Sequence, residues 1–137
     1  IRMVSFVNRI TPFGDYFKPI IPFMKKQSFK ANDTIFKAGD PADRLYIITK
    51  GEAKVMEYNI ALHKGEVFGE IAIFSQEHKR TATITCTTDC EMLVVSGDEV
   101  ITLYYTSPQF SLYIIKMITD RLIEDALIKK EQLRPIL

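Results

Sequence analysis

Residues 65–86 read GEVFGEIAIFSQEHKRTATITC, and the stretch changes character twice. Its last part alternates: Thr81, Thr83 and Thr85 (with Thr87 beyond) share one face and Ala82, Ile84 and Cys86 the other, the period of a half-buried strand. Its first part, Val67-Phe68, runs into Gly69 directly before the carboxylate of Glu70. A glycine there marks a tight bend where backbone approaches another group closely. VFGEIAIF as a whole is too short and mixed to be a good strand throughout, and SQEHK is the loop returning the chain to Arg80.

Outward from this stretch the same rhythm holds from Gln27 to about Val95. DTIFKAGD, DRLYIITKG, EAKVMEYNIALHKGE, TATITCTTD and CEMLVV are short β-branched or aromatic runs, broken by turn residues every eight to twelve positions. That spacing predicts a mainly β fold with flanking helices, a double-sheet jelly-roll β-barrel. MEYNIALHK leaves room only for a tight hairpin around Tyr58-Asn59. The expected organisation is one domain: an N-terminal helical segment over 1–26, kept to short pieces by Pro12, Pro19 and Pro22; a β-roll over 27–95; and C-terminal helices over 97–134. Ser96 or Asp98 is the expected N-cap of the first of these, and Pro108 suits the first turn of the second. That second helix is long and stops at Pro135, with Ile115, Ile118, Leu122 and Ala126 read as its apolar stripe, core first and partner interface second. At 1.5 Å per residue it would reach roughly 37 Å, more than a small barrel needs, and an overhanging stripe finds a partner helix.

The bulk numbers exclude several classes. A chain of 137 residues with 47% apolar composition can build one real core. Eighteen basic and seventeen acidic residues give a net charge of +1, with no bulk footprint for nucleic acid or an anionic membrane. No apolar run approaches the ~18 residues that span a bilayer, and IRMVSFVNRI lacks a signal-peptide core. The chain starts on Ile1 rather than Met and is expected to be an excised piece, cytoplasmic, connected to a membrane only through a missing parent segment. Cys86 and Cys90 read as free thiols in a reducing compartment, with Cys86 a small core residue. Two separated histidines, His63 and His78, read as solvated and make no metal site; with no nucleophile–base pair either, no catalytic residue, cofactor or enzyme activity is expected.

The acid and base have a specific use. If EIAIF starts a helical turn, the amides of Glu70, Ile71 and Ala72 lie at its N-terminus and favour an anion. Glu70 can accept a hydroxyl hydrogen bond, Arg80 offers a planar fork for a phosphate, and Thr81 adds a hydroxyl. A simple surface ion pair is the bland alternative for Glu70 and Arg80. Together the parts describe a pocket for a small phosphorylated sugar.

These residues resemble the cyclic-nucleotide-binding domain family, whose phosphate-binding cassette reads F-G-E, a small or apolar run, then R-T/S/A-A. Here it is Phe68-Gly69-Glu70-Ile71-Ala72, then Arg80-Thr81-Ala82-Thr83, within residues 68–83. FKAGDPADRLYIITKGEAKV, Phe36 to Val55, also looks like the family's early strands, and the resemblance runs from about Ile10 to about Lys130. It implies that Glu70 holds the ribose 2′-hydroxyl, that Arg80 neutralises the cyclic phosphate, and that Thr81 donates to the phosphate or a guanine amine. The amides of Gly69, Ile71 and Ala72 complete the cradle, and the long terminal helix closes over the purine as a lid. Arg121 is the candidate base contact on that helix, with Lys116 behind it.

The function expected is therefore a regulatory sensor. It binds cyclic AMP, weakly favoured over cyclic GMP, and relays occupancy through the C-terminal helix to an attached effector such as a membrane channel or transporter. The same helix is expected to make a homo-oligomer, and the fragment itself to make no nucleic-acid contact. The alternatives are the sensor half of a DNA-binding transcription regulator, a degenerate docking module that binds nothing, and, least supported, a cupin-type metalloenzyme.

Overall fold

The structure, a computed structural model, describes residues 18–133. The expectations for residues 1–17 and for a helix stop at Pro135 lie outside the described residues. A 3₁₀ helix, Lys18–Phe23, leads into strands β1 (Lys25–Phe29), β2 (Thr34–Phe36), β3 (Arg44–Lys50), β4 (Ala53–Val55), β5 (Ile60–Leu62) and β6 (Val67–Phe68). Then come helix α1 (Glu70–Phe74), strands β7 (Ile84–Cys86) and β8 (Cys90–Ser96), and helices α2 (Gly97–Thr106) and α3 (Pro108–Leu133).

Two antiparallel four-stranded sheets result, in the orders β1-β8-β3-β6 and β2-β7-β4-β5. This is the expected double-sheet jelly roll with flanking helices. The unbroken apolar run of β3 has a simple cause: both of its faces are covered. Tyr46 and Ile48 point between the sheets, with Phe68, Leu62, Ile84 and Met92, while Leu45 and Ile47 point outward under the helices, with Val67, Val95, Phe110 and Ile114. Period-2 geometry divides one hydrophobic run between two cores.

Local signals behave as the sequence implies. Val55 pairs with Ile60, so the hairpin turns through four residues, and Asn59 takes the left-handed φ of 54° that asparagine tolerates. The Ser96 hydroxyl accepts the Glu99 N–H at 3.2 Å and caps α2. Ser107 does the same for the Phe110 N–H at 3.3 Å, with Pro108 in the first turn of α3.

Two expectations are corrected. The 81–87 alternation is strand only over Ile84–Cys86. Thr83 leaves the ladder because its N–H goes to the Glu57 carboxylate and its hydroxyl takes the Ala38 N–H. The buried face of α3 is Phe110, Tyr113, Ile114 and Met117, at the i, i+3, i+4, i+7 spacing of one helix face. Of the predicted stripe only Ile118 packs against that core; Ile115 and Leu122 are 49% and 51% exposed. Helix α3 has apolar residues on two opposite sides, and the bulkier, aromatic side is the one buried. The two histidines are exposed as expected, yet each is engaged: His63 Nδ1 lies 2.7 Å from Glu52, and His78 Nδ1 lies 3.1 Å from the Ile73 carbonyl.

Candidate functional site

Strand β6 ends at Phe68, and Gly69 turns the chain with φ 91° and ψ −1° into α1. A side chain at Gly69 would place its Cβ 2.8 Å from Arg80 Nη1 and 3.1 Å from the Arg44 carbonyl oxygen. Both the conformation and the space therefore require glycine. The return loop is tied to itself and to the chain after β2. The Ser75 hydroxyl donates to the Ala72 carbonyl at 3.0 Å and accepts the His78 N–H at 3.2 Å. Backbone bonds then join Ala42 N to His78 O, Arg80 N to Asp40 O and Gly39 N to Arg80 O, at 2.8, 2.8 and 2.9 Å. The backbone of Arg80 is thus fixed before its side chain is considered.

That side chain is folded inward and only 4% exposed. Nη1 donates to the Gly69 carbonyl at 3.0 Å and Nη2 to the Arg44 carbonyl at 2.7 Å. The guanidinium carbon sits 4.0 Å from the centre of the Phe36 ring and 5.9 Å from that of Tyr46, whose ring stacks on Phe68. Burial pushes the Arg80 pKa below its ordinary value, opposed by Tyr46, Asp43, Glu70 and Asp40. Arginine stays cationic even so. Its buried Nε has no hydrogen-bond partner among the described residues. A desolvated cation with an unspent donor is an arrangement an incoming anion completes. Glu70 is equally buried, so the two are not a surface ion pair.

Arg80 and Glu70 open onto a cleft of about 780 Å³, its solvent-open mouth included. One wall is the cassette: Phe68, Gly69, Glu70, Ile71, Ala72, Arg80, Thr81 and Ala82. The other is apolar: Phe36, Val55, Tyr58, Ile60, Leu62 and Ile84. A polar, cationic end facing an apolar end suits a ligand with an anionic group at one end and a flat apolar body at the other.

Eight of the nine predicted site residues thus line one cleft, with Thr81 at its exposed rim. The ninth, Arg121, lies within α3 and its side chain falls outside the described residues. Lys116 is engaged elsewhere, with Asp120 at 3.7 Å. None of the apolar wall residues was among the predicted site residues. Alternation in β4 and β5 gave the signal for Val55, Ile60 and Leu62, whereas nothing local marks Phe36 as the shelf under Arg80. Among the described residues no group of three or more His, Cys, Asp or Glu side chains could hold a metal ion, and no helix is long and apolar enough to cross a membrane.

Residues 26–107 match the family described as Cyclic nucleotide-binding domain. The cAMP-activated global transcriptional regulator CRP of Haemophilus influenzae is 26% identical over 102 residues, covering 69% of this chain and 46% of that protein. The cyclic nucleotide-gated potassium channel mll3241 of Mesorhizobium japonicum is 28% identical over 93 residues, 67% of this chain and 26% of that protein. The chain therefore spans less than half the length of either relative. Among solved structures, the Thermus thermophilus catabolite activator protein superposes with a TM-score of 0.70 at 20% identity, over 88% of this chain and 59% of that one, which speaks for the fold.

Proposed function

The chain belongs to the cyclic nucleotide-binding domain family, and from that premise we propose that the cleft at α1 binds a 3′,5′-cyclic nucleotide, cyclic AMP in preference to cyclic GMP. The observation that carries the reading is Arg80: a buried guanidinium on the cleft wall, anchored by two carbonyls, with its Nε unspent. In this reading Arg80 and the amides of Gly69, Ile71 and Ala72 take the cyclic phosphate. Thr81 assists at the rim, Glu70 accepts the ribose 2′-hydroxyl, and Phe68 and Ala82 shape the pocket. Arg121 touches the base when α3 closes. The module is a sensor rather than an enzyme and uses no cofactor beyond its regulatory ligand.

Occupancy is proposed to reach an attached effector through α3, since a ligand shifts an equilibrium only by binding one state better. Likeness to the Mesorhizobium channel supports a membrane channel or transporter as that effector, with this domain on the cytoplasmic side. Likeness to the Haemophilus regulator supports a second reading, the sensor half of a transcription regulator whose nucleic-acid contacts lie in another part of the protein. In either case α3 offers a seam for self-association. Leu112, Ile115, Thr119, Leu122 and Ala126 are all exposed and advance in alternating steps of three and four residues, the coiled-coil spacing. Sedimentation equilibrium is expected to find a dimer that Leu122→Glu dissociates; a monomer at high concentration would remove the seam.

The direct test is calorimetric titration with cyclic AMP and cyclic GMP, after unfolding and refolding to strip carried-over ligand. Saturable one-to-one binding is expected, weakened by roughly 2–5 kcal/mol in Arg80→Ala, the range for removing one partner of a buried charge pair. Equal binding by Arg80→Ala would move the phosphate elsewhere. No heat from folded protein, with a direct-binding control, would favour the docking module.

A further inference from the structure

The apolar wall of the cleft contains one aromatic ring left uncommitted among the described residues. Phe36 and Phe68 also line the cleft, but their rings are committed: Phe36 lies under Arg80 and against Phe68, which stacks on Tyr46 at 5.1 Å and 7°. Tyr58 sits at the tip of the β4–β5 hairpin, half-buried in the cleft wall, and makes no ring contact among the described residues.

Its position is built. The Met56 N–H donates to the Thr83 carbonyl at 2.9 Å, and the Thr83 N–H donates to Glu57 Oε1 at 2.8 Å. Thr83 in turn accepts the Ala38 N–H on its hydroxyl at 3.1 Å. The first two turn residues, Met56 and Glu57, are thereby fastened to the residue three places after Arg80. The four-residue turn, with Asn59 at φ 54°, leaves Tyr58 little freedom to swing away. No residue of α3 lines the cleft among the described residues.

We propose that Tyr58 is the stacking platform for the nucleobase, so that base recognition is built into the β4–β5 hairpin and precedes any closure of α3. This rests on the reading of the cleft as a cyclic-nucleotide site. With the phosphate held at Arg80, the flat base extends towards the Val55, Tyr58, Ile60 and Leu62 wall. There an aromatic face gains more from a two-ring purine than from a one-ring pyrimidine. Tyr58 is thus a specificity residue for ring size.

The test is competition binding of cyclic AMP and cyclic CMP against a fluorescent cyclic nucleotide, for wild type, Tyr58→Phe, Tyr58→Leu and Tyr58→Ala. Base–aromatic stacking corresponds to roughly a five- to hundred-fold effect on affinity. Tyr58→Ala is expected to weaken cyclic AMP by that factor and cyclic CMP by less, narrowing the preference between them. Tyr58→Leu keeps apolar volume without the flat face and should behave like Tyr58→Ala, whereas Tyr58→Phe should bind as wild type. Unchanged cyclic AMP affinity in Tyr58→Ala overturns the platform and leaves the site intact. So does an equal loss for both ligands, which marks a merely structural role. A wild-type protein that binds neither nucleotide overturns the site and the platform together. Binding that is retained in wild type and lost in Arg80→Ala keeps the site, so that the Tyr58 variants then decide the platform alone.

Discussion

Replacing Gly69 by alanine tests the cassette at its tightest point, and Gly39 supplies the control. Both glycines have nearly the same left-handed φ, 91° and 92°. At Gly39 a Cβ would meet nothing within 4 Å, so Gly39→Ala reports backbone strain alone, about 1–3 kcal/mol. At Gly69 the same strain is joined by a Cβ 2.8 Å from Arg80 Nη1 and 3.1 Å from the Arg44 carbonyl. The backbone oxygen has little room to move, because Arg44 lies in β3 and pairs with Ser96 of β8. The guanidinium is the softer partner, but yielding breaks its 3.0 Å bond to the Gly69 carbonyl and disturbs its seat on Phe36. Adding part of a charged hydrogen bond to the strain gives a loss of about 2–4 kcal/mol for Gly69→Ala. For a chain of this size that is roughly 6–20 °C in Tm. Circular-dichroism melts of both variants measure the difference, and titration with cyclic AMP measures the site. Gly69→Ala should melt below Gly39→Ala and lose nucleotide affinity. If the two melted together and Gly69→Ala bound as wild type, the close approach of Arg80 to this turn would be wrong.

Glu70→Gln should narrow the preference for cyclic AMP over 2′-deoxy cyclic AMP by about 1.5–3 kcal/mol, the value of a hydrogen bond to a charged group; calorimetry with both ligands reads it, and an unchanged ratio would take the ribose away from Glu70. Burial, and then the neighbouring Cys90, push the Cys86 thiol up to about 12 from its ordinary 9.0. A raised folded-state value contributes stability that is complete below the unfolded value of 9.0 and is lost as pH climbs through the folded value. Urea midpoints should therefore fall between pH 9 and 12 in wild type, and less so in Cys86→Ala; equal alkaline slopes would mean that the thiol has no part in it.

The outline of the candidate site was legible because its features are local. A glycine before a carboxylate, one helical turn and a loop back to an arginine are features of neighbouring residues, and each lies where the sequence puts it. The strands were legible for the same reason, since turn residues and alternation are short-range. Helix α3 was misread because a helix with apolar residues on two sides gives periodicity no basis for choosing between them. The choice fell to Phe110, Tyr113, Ile114 and Met117 because sheet and α2 side chains were there to receive them. The segment before Ile84 was misread because the hydroxyl and N–H of Thr83 found partners in Ala38 and Glu57, which are distant in the chain.

The class of fold, the bend at Gly69 and the placing of Glu70 and Arg80 in one cassette follow from the order of the amino acids, because they depend on backbone preference and short-range pattern. What surrounds them was settled only when the chain closed on itself. Phe36 from β2 and Tyr58 from the hairpin join Arg80 at one cleft, and the Arg44 carbonyl from β3 reaches its guanidinium, only after two sheets have come together. A contact between residues far apart in the chain leaves no periodicity to read, since it is set by which faces are buried together and not by any one segment's own preference.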